Sequence, residues 1–310
     1  MLLESDKIID PTYRILNFIQ SQNKELLDDK EYEILFGNLR THFLKLFYSV
    51  IHIYDIQKDC SFMKKYNRNY FIGAMLVEYP YFKLSTIWDI SYQIASRLTK
   101  LKNSKRNKYE ALEKEFSLYT EKFNNLNLDW YKEINKIRNR IVHGGIKVTP
   151  FYLDNDDKEV KNRLCFQMYD DDLNDLIPKS DFYTNIYNGD INFADNYFAF
   201  YTSVLYSYLT DFFDFVLFKL CSENNLEVTD FDKHEYSDIL EVTSIDDRYW
   251  AVDNMEKFRD IAINMLKLYK NGGCHFGMDR VIINPSDLED AFILFKQSHI
   301  RSSSPANLTP

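Results

Sequence analysis

The stretch DWYKEINKIRNRIVHGG, from Asp129 to Gly145, indicates how this chain folds. Asp129 suits the cap at the start of a helix, and the two glycines that follow His143 are typical of a helix end. At about 100° per residue, four apolar side chains fall on one stripe of this helix. They are Trp130, Ile134, Ile137 and Ile141. The stretch therefore predicts a helix from Asp129 to His143 with one face in a core.

A second stripe at helical spacing lies opposite that apolar face. It consists of Tyr131, Asn135, Arg138 and Val142. Asn139 and His143 flank it, so we expect Arg138, Asn139 and His143 to form one wedge that points to solvent or to a partner. Two organised faces favour a dimer interface. The alternative is that Arg138 is an ordinary surface cation and that His143 only complements the C-terminus of the helix.

Long helices are predicted for most of the remaining chain. Apolar residues recur every fourth position from Lys30 to about Tyr54. Further helices are predicted from about Tyr70 to Leu101, with a kink or boundary at Pro80, and from Lys105 to Phe123. An aromatic helix from about Phe193 to Cys221 is apolar on most faces, which favours a central position. The predicted fold class is mainly α, a bundle of long antiparallel helices.

Two segments depart from this helical pattern. Residues 146–153 and 163–169 predict a β-hairpin within an insertion at about 146–190. Beyond the helical domain at 1–225, residues 226–300 predict a small acidic α+β appendage, and residues 301–310 a disordered tail.

Charge is distributed unevenly along the 310 residues, whose net charge is −9. Residues 1–150 contain 24 Lys and Arg against 18 Asp and Glu, a net charge of +6. The remaining residues contain 14 against 29, a net charge of −15. The first half can therefore attract a polyanion even though the whole chain is acidic.

Several function classes find no support in the sequence. The chain contains neither a Gly-x-x-x-x-Gly-Lys-[Ser/Thr] loop nor a Gly-x-Gly-x-x-Gly loop, and its four cysteines lie far apart. Asp211 and Asp214 interrupt the most apolar stretch, Tyr197 to Leu220, which favours a buried helix over a membrane span. The start lacks the features of a secretory signal. We therefore expect a cytoplasmic protein without a metal, a cofactor or a membrane partner.

The segment Arg138-Asn139-Arg140-Ile141-Val142-His143 resembles the Arg-x(4–6)-His motif of the HEPN superfamily (higher eukaryotes and prokaryotes nucleotide-binding). In that family the residue after the arginine is often polar, commonly Asn. The layout is also similar, because HEPN domains are helical bundles with the motif near the start of the last or penultimate helix. The similar region covers roughly residues 30 to 223. The resemblance implies a HEPN-like bundle with the hairpin inserted after the motif helix.

The resemblance also implies a metal-independent endoribonuclease, of the type found in toxin–antitoxin, CRISPR-associated and abortive-infection systems. His143 would act as general base or acid, Arg138 would hold the scissile phosphate, and Asn139 would orient His143 or bind phosphate. HEPN domains pair so that two motifs face each other, which implies a homodimer with a composite active site. The expected products are a 2′,3′-cyclic phosphate and a 5′-OH. The expected partners are an RNA substrate, tRNA or mRNA, and a cognate antitoxin or defence-system protein.

Six further residues are candidates for supporting the site or for binding substrate. Asp89 follows Trp88 in a segment similar to an earlier HEPN helix that often carries a polar residue near the cleft. The other five share the motif helix: Tyr131, Lys132, Asn135, Lys136 and Arg140. The lysines and Arg140 can also be solvated surface cations, the usual state of such side chains.

Two functions remain as alternatives to cleavage. The same face can belong to a non-catalytic HEPN-like module that binds RNA, a nucleotide or a partner protein. Alternatively, the acidic second half can mimic a nucleic acid in an immunity subunit that neutralises an enzyme.

Overall fold

The structure, a computed structural model, describes residues 11–26, 29–56, 69–99, 108–123, 129–144, 148–153, 163–168 and 191–231. Within these ranges the fold is mainly helical, as predicted. The α-helices are α1 (Tyr13–Gln22), α2 (Lys30–Ile56), α3 (Asn69–Leu98), α4 (Lys108–Phe123), α5 (Asp129–Asn139) and α6 (Ala194–Asn224). Short 3₁₀ turns lie at Lys24–Leu26 and Val228–Phe231. Nearly all of the predicted C-terminal appendage, and the tail with it, falls outside the described residues.

The helix predicted from Lys30 is α2, and its apolar stripe is confirmed. All five side chains of that stripe are buried: Leu35, Leu39, Phe43, Phe47 and Ile51. The spacing of four keeps them on one side of the helix, where removal from water stabilises the fold.

Helix α3 runs without interruption through Pro80, so the boundary considered at that position is wrong. A proline inside a helix removes one backbone hydrogen bond and crowds the preceding turn. Pro80 is itself buried, and Val77, Tyr81 and Leu84 around it are buried as well. Packing of these neighbours offsets the local cost.

A three-stranded antiparallel sheet follows the motif helix, in the order β1 (Val148–Leu153), β2 (Arg163–Met168) and β3 (Ile191–Phe193). Strands β1 and β2 occupy the positions predicted for the hairpin, with Val148 opposite Met168. The third strand was not predicted. It pairs Phe193 with Cys165 and leads directly into α6, so the insertion returns the chain to the helical part through the sheet.

The described residues divide into two compact units. The first unit contains the described residues up to 48, from 82 to 135 and from 200 to 231. The second contains those from 49 to 81 and from 136 to 199.

Stacked aromatic rings form the core of the first unit. The Trp88 ring lies between those of Tyr131 and Tyr208, with centroid distances of 3.5 and 4.3 Å. The hydroxyls of Tyr92 and Tyr208 are 2.9 Å apart, and burial raises the pKa of both phenols. Both phenols therefore stay protonated and can share one hydrogen bond inside an apolar surrounding.

The core of the second unit is also aromatic, and it attaches the sheet to α6. The Tyr81 hydroxyl donates to the Tyr197 hydroxyl over 2.7 Å, and Tyr81 meets Phe198 edge to face. Phe166 of β2 packs against both Tyr197 and Phe198. Phe166 thus attaches the hairpin to α6.

The carboxylate of Asp214, within the apolar stretch of α6, pairs with an arginine of α1. The distance from Arg14 Nη1 to Asp214 Oδ1 is 2.7 Å, and both side chains are largely buried. This pair explains how a charged group is accommodated in an otherwise apolar helix. None of the described helices has a window long and apolar enough to cross a membrane.

Candidate functional site

The motif helix does not keep one helical form to its end. We predicted a helix from Asp129 to His143, but the α-helix stops at Asn139 and is followed by a π-helical turn, Arg140–Gly144. A π-turn bonds residues five apart and is wider than an α-helical turn. Such turns occur at helix ends and are frequent at functional sites. Here the turn contains His143.

The apolar stripe of α5 is confirmed where the structure describes its side chains. Ile134 and Ile137 are both 0% exposed. Ile141, inside the π-turn, is only half-buried, because the turn changes the angular step that the prediction assumed. The side chain of Trp130 lies outside the described set.

Arg138 and Asn139 are joined by a hydrogen bond. The Arg138 Nη1 group donates to Asn139 Oδ1 over 2.8 Å at the protein surface. Since a guanidinium only donates, the amide oxygen is the atom that faces it. Asn139 keeps its amide N–H groups for a second contact. The bond limits the freedom of the guanidinium before any ligand arrives.

Two nitrogens of the Arg138 guanidinium differ in their surroundings. Its Nε is buried and has no hydrogen-bond acceptor among the described residues, whereas Nη1 takes part in the surface contact with Asn139. A guanidinium carries five N–H donors, so most of them are not used by this contact. Those on the Nη groups suit the oxygens of a phosphate.

His143 is exposed, and so is Val142 beside it, at 46%. Within the described part of the chain, the His143 ring makes neither a hydrogen bond nor an ion pair with another side chain. In the single chain, Asn139 therefore does not orient His143. Its side chain bonds to Arg138 instead. The wedge of Arg138, Asn139 and His143 does lie on the accessible part of the helix.

Tyr131, a candidate for supporting the site or binding substrate, does not lie on the accessible face of the helix. The side chain is only 8% exposed, and its ring stacks on Trp88 with an interplanar angle of 6°. Neighbouring α3 covers the side of α5 that we expected to face solvent. An amphipathic tyrosine fits either a covered or an open helix face, so helical spacing alone could not decide between them.

Asn135 also faces α3. It is half-buried, and its Oδ1 accepts a hydrogen bond from Ser85 Oγ at 3.1 Å. Together with the stacking of Tyr131 on Trp88, this contact packs the first half of α5 against α3. Asp89, next to Trp88, is exposed. The Asn135 side chain therefore joins α5 to α3.

The basic candidates differ in their electrostatic surroundings. Lys132 is exposed, but its Nζ lies 3.3 Å from Glu113 Oε1 of α4. The carboxylate offsets the positive charge that Lys132 would offer to RNA, and this partner was not visible in the sequence pattern. Lys136 and Arg140 are exposed on the part of the helix that carries the wedge.

Comparison of the chain with models of protein families, with curated proteins and with solved structures finds no significant match.

Proposed function

We propose that this chain is a metal-independent endoribonuclease of the HEPN type. The observation that carries the proposal is the surface wedge on the motif helix, in which Arg138 is held by Asn139 and His143 is exposed in a π-turn. The wedge lies beside a fully buried stripe, Ile134 and Ile137, so the helix is anchored while its polar side chains stay accessible.

In this proposal, Arg138 binds the phosphate that is to be cleaved. A guanidinium matches two phosphate oxygens with two parallel N–H donors and carries a permanent positive charge. The contact with Asn139 reduces the number of orientations that must be lost on binding. The remaining amide N–H groups of Asn139 supply further donors for a phosphate oxygen.

His143 supplies the proton transfers. A base removes the proton of the ribose 2′-OH, and the 2′-oxygen attacks phosphorus as the bond to the 5′-oxygen breaks. An acid protonates that leaving oxygen. The products are a 2′,3′-cyclic phosphate and a 5′-OH, and DNA is spared because it lacks the attacking hydroxyl. Histidine is the side chain most often used as a general acid or base.

The two proton transfers are best served by two histidines, and the motif provides one per chain. We therefore include in the proposal a homodimer in which two wedges face each other across a two-fold axis. The exposed apolar side chain of Val142 is suited to such a contact. The biological role proposed is that of a cytoplasmic toxin or anti-phage effector, with a cognate antitoxin or defence-system protein as a further partner.

The test is to incubate the purified chain with tRNA and with total RNA in excess EDTA. His143→Ala and Arg138→Ala should stop cleavage, and Lys114→Ala, an exposed lysine of α4, serves as the matched surface control. A single-stranded DNA of the same sequence should remain intact. Intact RNA with the wild-type chain, or equal cleavage by all variants, contradicts the proposal. Binding of RNA without cleavage supports the non-catalytic module instead.

Mixing tests the composite site. Wild-type chain mixed with an excess of His143→Ala chain should lose more activity than dilution explains, because mixed dimers have one histidine. Activity that falls only in proportion to dilution shows that one chain acts alone.

A further inference from the structure

Two lysines on the exposed side of the motif helix differ in what surrounds their charge. Lys132 Nζ lies 3.3 Å from Oε1 of Glu113, so the carboxylate offsets part of its positive charge. Lys136 lies one turn later on α5 and is exposed. Among the described residues, its ammonium group takes part in neither a hydrogen bond nor an ion pair. Lys136 therefore keeps its N–H donors for a ligand.

Helix geometry places Lys136 beside the wedge. Lys136 and Asn139 both belong to the α-helical part of the motif helix, three residues apart. Residues at this spacing are neighbours on one helix face, with Cβ atoms about 5–6 Å apart. Asn139 is exposed and accepts the hydrogen bond from Arg138 Nη1, so the guanidinium group lies at Asn139. Lys136 is therefore about one helical turn from the position proposed for the scissile phosphate.

The chemistry of an RNA strand supplies a ligand for this lysine. Every nucleotide carries one phosphate, so a strand whose scissile phosphate is held by Arg138 brings its next phosphate close to the same surface. The ammonium group of a lysine is a point charge with three donors on a flexible stem, which suits a phosphate whose exact orientation is not fixed. We propose that Lys136 binds the phosphate adjacent to the scissile one, an inference that rests on the proposed cleavage site.

This contact defines the substrate as a strand with at least two consecutive phosphates. A phosphate contact sets the register of the strand and reads no base, so Lys136 positions the substrate without a sequence preference. The row of contacts does not continue to Lys132, because Glu113 already offsets the charge of that lysine. Lys136 is a positioning residue, and its loss should affect the binding of substrate more than the chemical step.

Binding is measured by fluorescence anisotropy on a 2′-O-methyl oligoribonucleotide, which lacks the attacking hydroxyl and cannot be cleaved. Lys136→Met should weaken binding about fivefold. It should also reduce the steepness of log affinity against log salt by about 0.7, the value for one phosphate contact of a single strand. Lys136→Arg keeps the charge and should bind as the wild type does. Lys132→Met should change the slope less than Lys136→Met. Lys114→Met, an exposed lysine of α4, is the matched control and should leave the slope unchanged.

Cleavage of short chimeric substrates locates the contact. An oligonucleotide with one ribose among deoxyriboses can be cut at only one phosphate, which fixes the scissile bond. A dinucleotide contains that phosphate alone, and two trinucleotides add a second phosphate on its 5′ or its 3′ side. Lys136→Met should raise KM about fivefold more for one trinucleotide than for the dinucleotide, with the effect in KM and not in kcat. The trinucleotide that responds identifies the side on which Lys136 binds.

A salt dependence of Lys136→Met equal to that of Lys114→Met overturns the proposal. An equal rise of KM for the dinucleotide and both trinucleotides also overturns it, because Lys136 would then act at the scissile phosphate itself. Circular dichroism checks that the variants fold. The anisotropy arm uses a strand that is not cut, and His143→Ala should show the same salt dependence as the wild type. The contact of Lys136 can therefore fail while the cleavage proposal holds, and the reverse.

Discussion

The first and last parts of the motif helix carry similar residue types but have opposite surroundings. In the first part, Tyr131 stacks on Trp88 and Asn135 accepts a hydrogen bond from Ser85. In the last part, Asn139 and His143 are exposed, and Asn139 bonds only to its neighbour Arg138 among the described side chains. On this helix, a polar or amphipathic residue that a neighbouring helix covers therefore contributes to packing. One that no described helix covers stays accessible to solvent.

Because of this difference, the candidate catalytic residues lie within about one and a half turns at the end of the motif helix. Of the site residues predicted on the motif helix, those before residue 136 make contacts with other helices: Tyr131, Lys132 and Asn135. The later residues are accessible: Arg138 is half-buried, and Asn139, Arg140 and His143 are exposed. Mutations in the two parts should consequently separate stability from activity.

The largest expected effect is on cleavage by His143→Ala. Loss of a general acid or base lowers rates by about 100-fold to 10,000-fold. An exposed residue changes the free energy of unfolding by no more than about 0.5 kcal/mol. Single-turnover RNA cleavage and urea unfolding measure the two quantities. A His143→Ala chain that cleaves normally removes the histidine from the mechanism.

Tyr131→Ala should give the opposite result. Removing a buried ring from the stack on Trp88 should destabilise the fold by about 3 kcal/mol or more, measured by urea unfolding. Tyr131→Phe keeps the ring and should lose about 1 kcal/mol or less. A Tyr131→Ala chain of normal stability that fails to cleave RNA would return Tyr131 to the active site.

A matched pair of asparagines gives a smaller but direct test. Asn135→Ala should lower the free energy of unfolding by about 1 kcal/mol, because Ser85 loses its acceptor. Asn139→Ala should leave stability unchanged and reduce cleavage by about tenfold, because Arg138 loses the contact that orients it. Swapped outcomes would show that packing and activity are not divided along the helix as described.

The smallest expected effect is a shift in the pKa of His42. This histidine, whose Nδ1 lies 3.2 Å from Lys83 Nζ, is half-buried, whereas His143 is exposed. Burial and then the charges of Lys83 and Lys45 disfavour its protonated form, so its pKa should lie below the ordinary value of 6.5. In Lys83→Met one positive charge is gone, and the pKa of His42 should move upward. Proton NMR of the imidazole signals across pH measures both values. A pKa of His42 above 6.5 in the wild type contradicts the contact geometry.

Periodicity predicted the long helices well, because each carries many apolar residues in register. The stripe of α2 and the buried aromatic helix α6 follow from spacing and composition alone. Pro80 shows the limit of a local rule, since buried neighbours outweigh the cost of a proline inside α3.

The contacts that distinguish packed from accessible polar residues could not be predicted from the sequence. Glu113 lies 19 positions before Lys132, Ser85 lies 50 before Asn135, and Lys83 lies 41 after His42. Each pair depends on which helices become neighbours, a property that spacing within one helix does not contain. The π-turn escaped prediction for another reason: its wider hydrogen bonding has no distinct residue period.

That turn has a consequence for how chains of this type are compared. Counting residues from Arg138 to His143 measures their angular relation only if every step is α-helical. A π-turn holds one more residue than an α-helical turn. A one-residue insertion or deletion after Asn139 can therefore be absorbed by widening or tightening the backbone. Two chains that differ by one residue in this interval can then place both side chains on one surface, which a pattern with a fixed interval would not show.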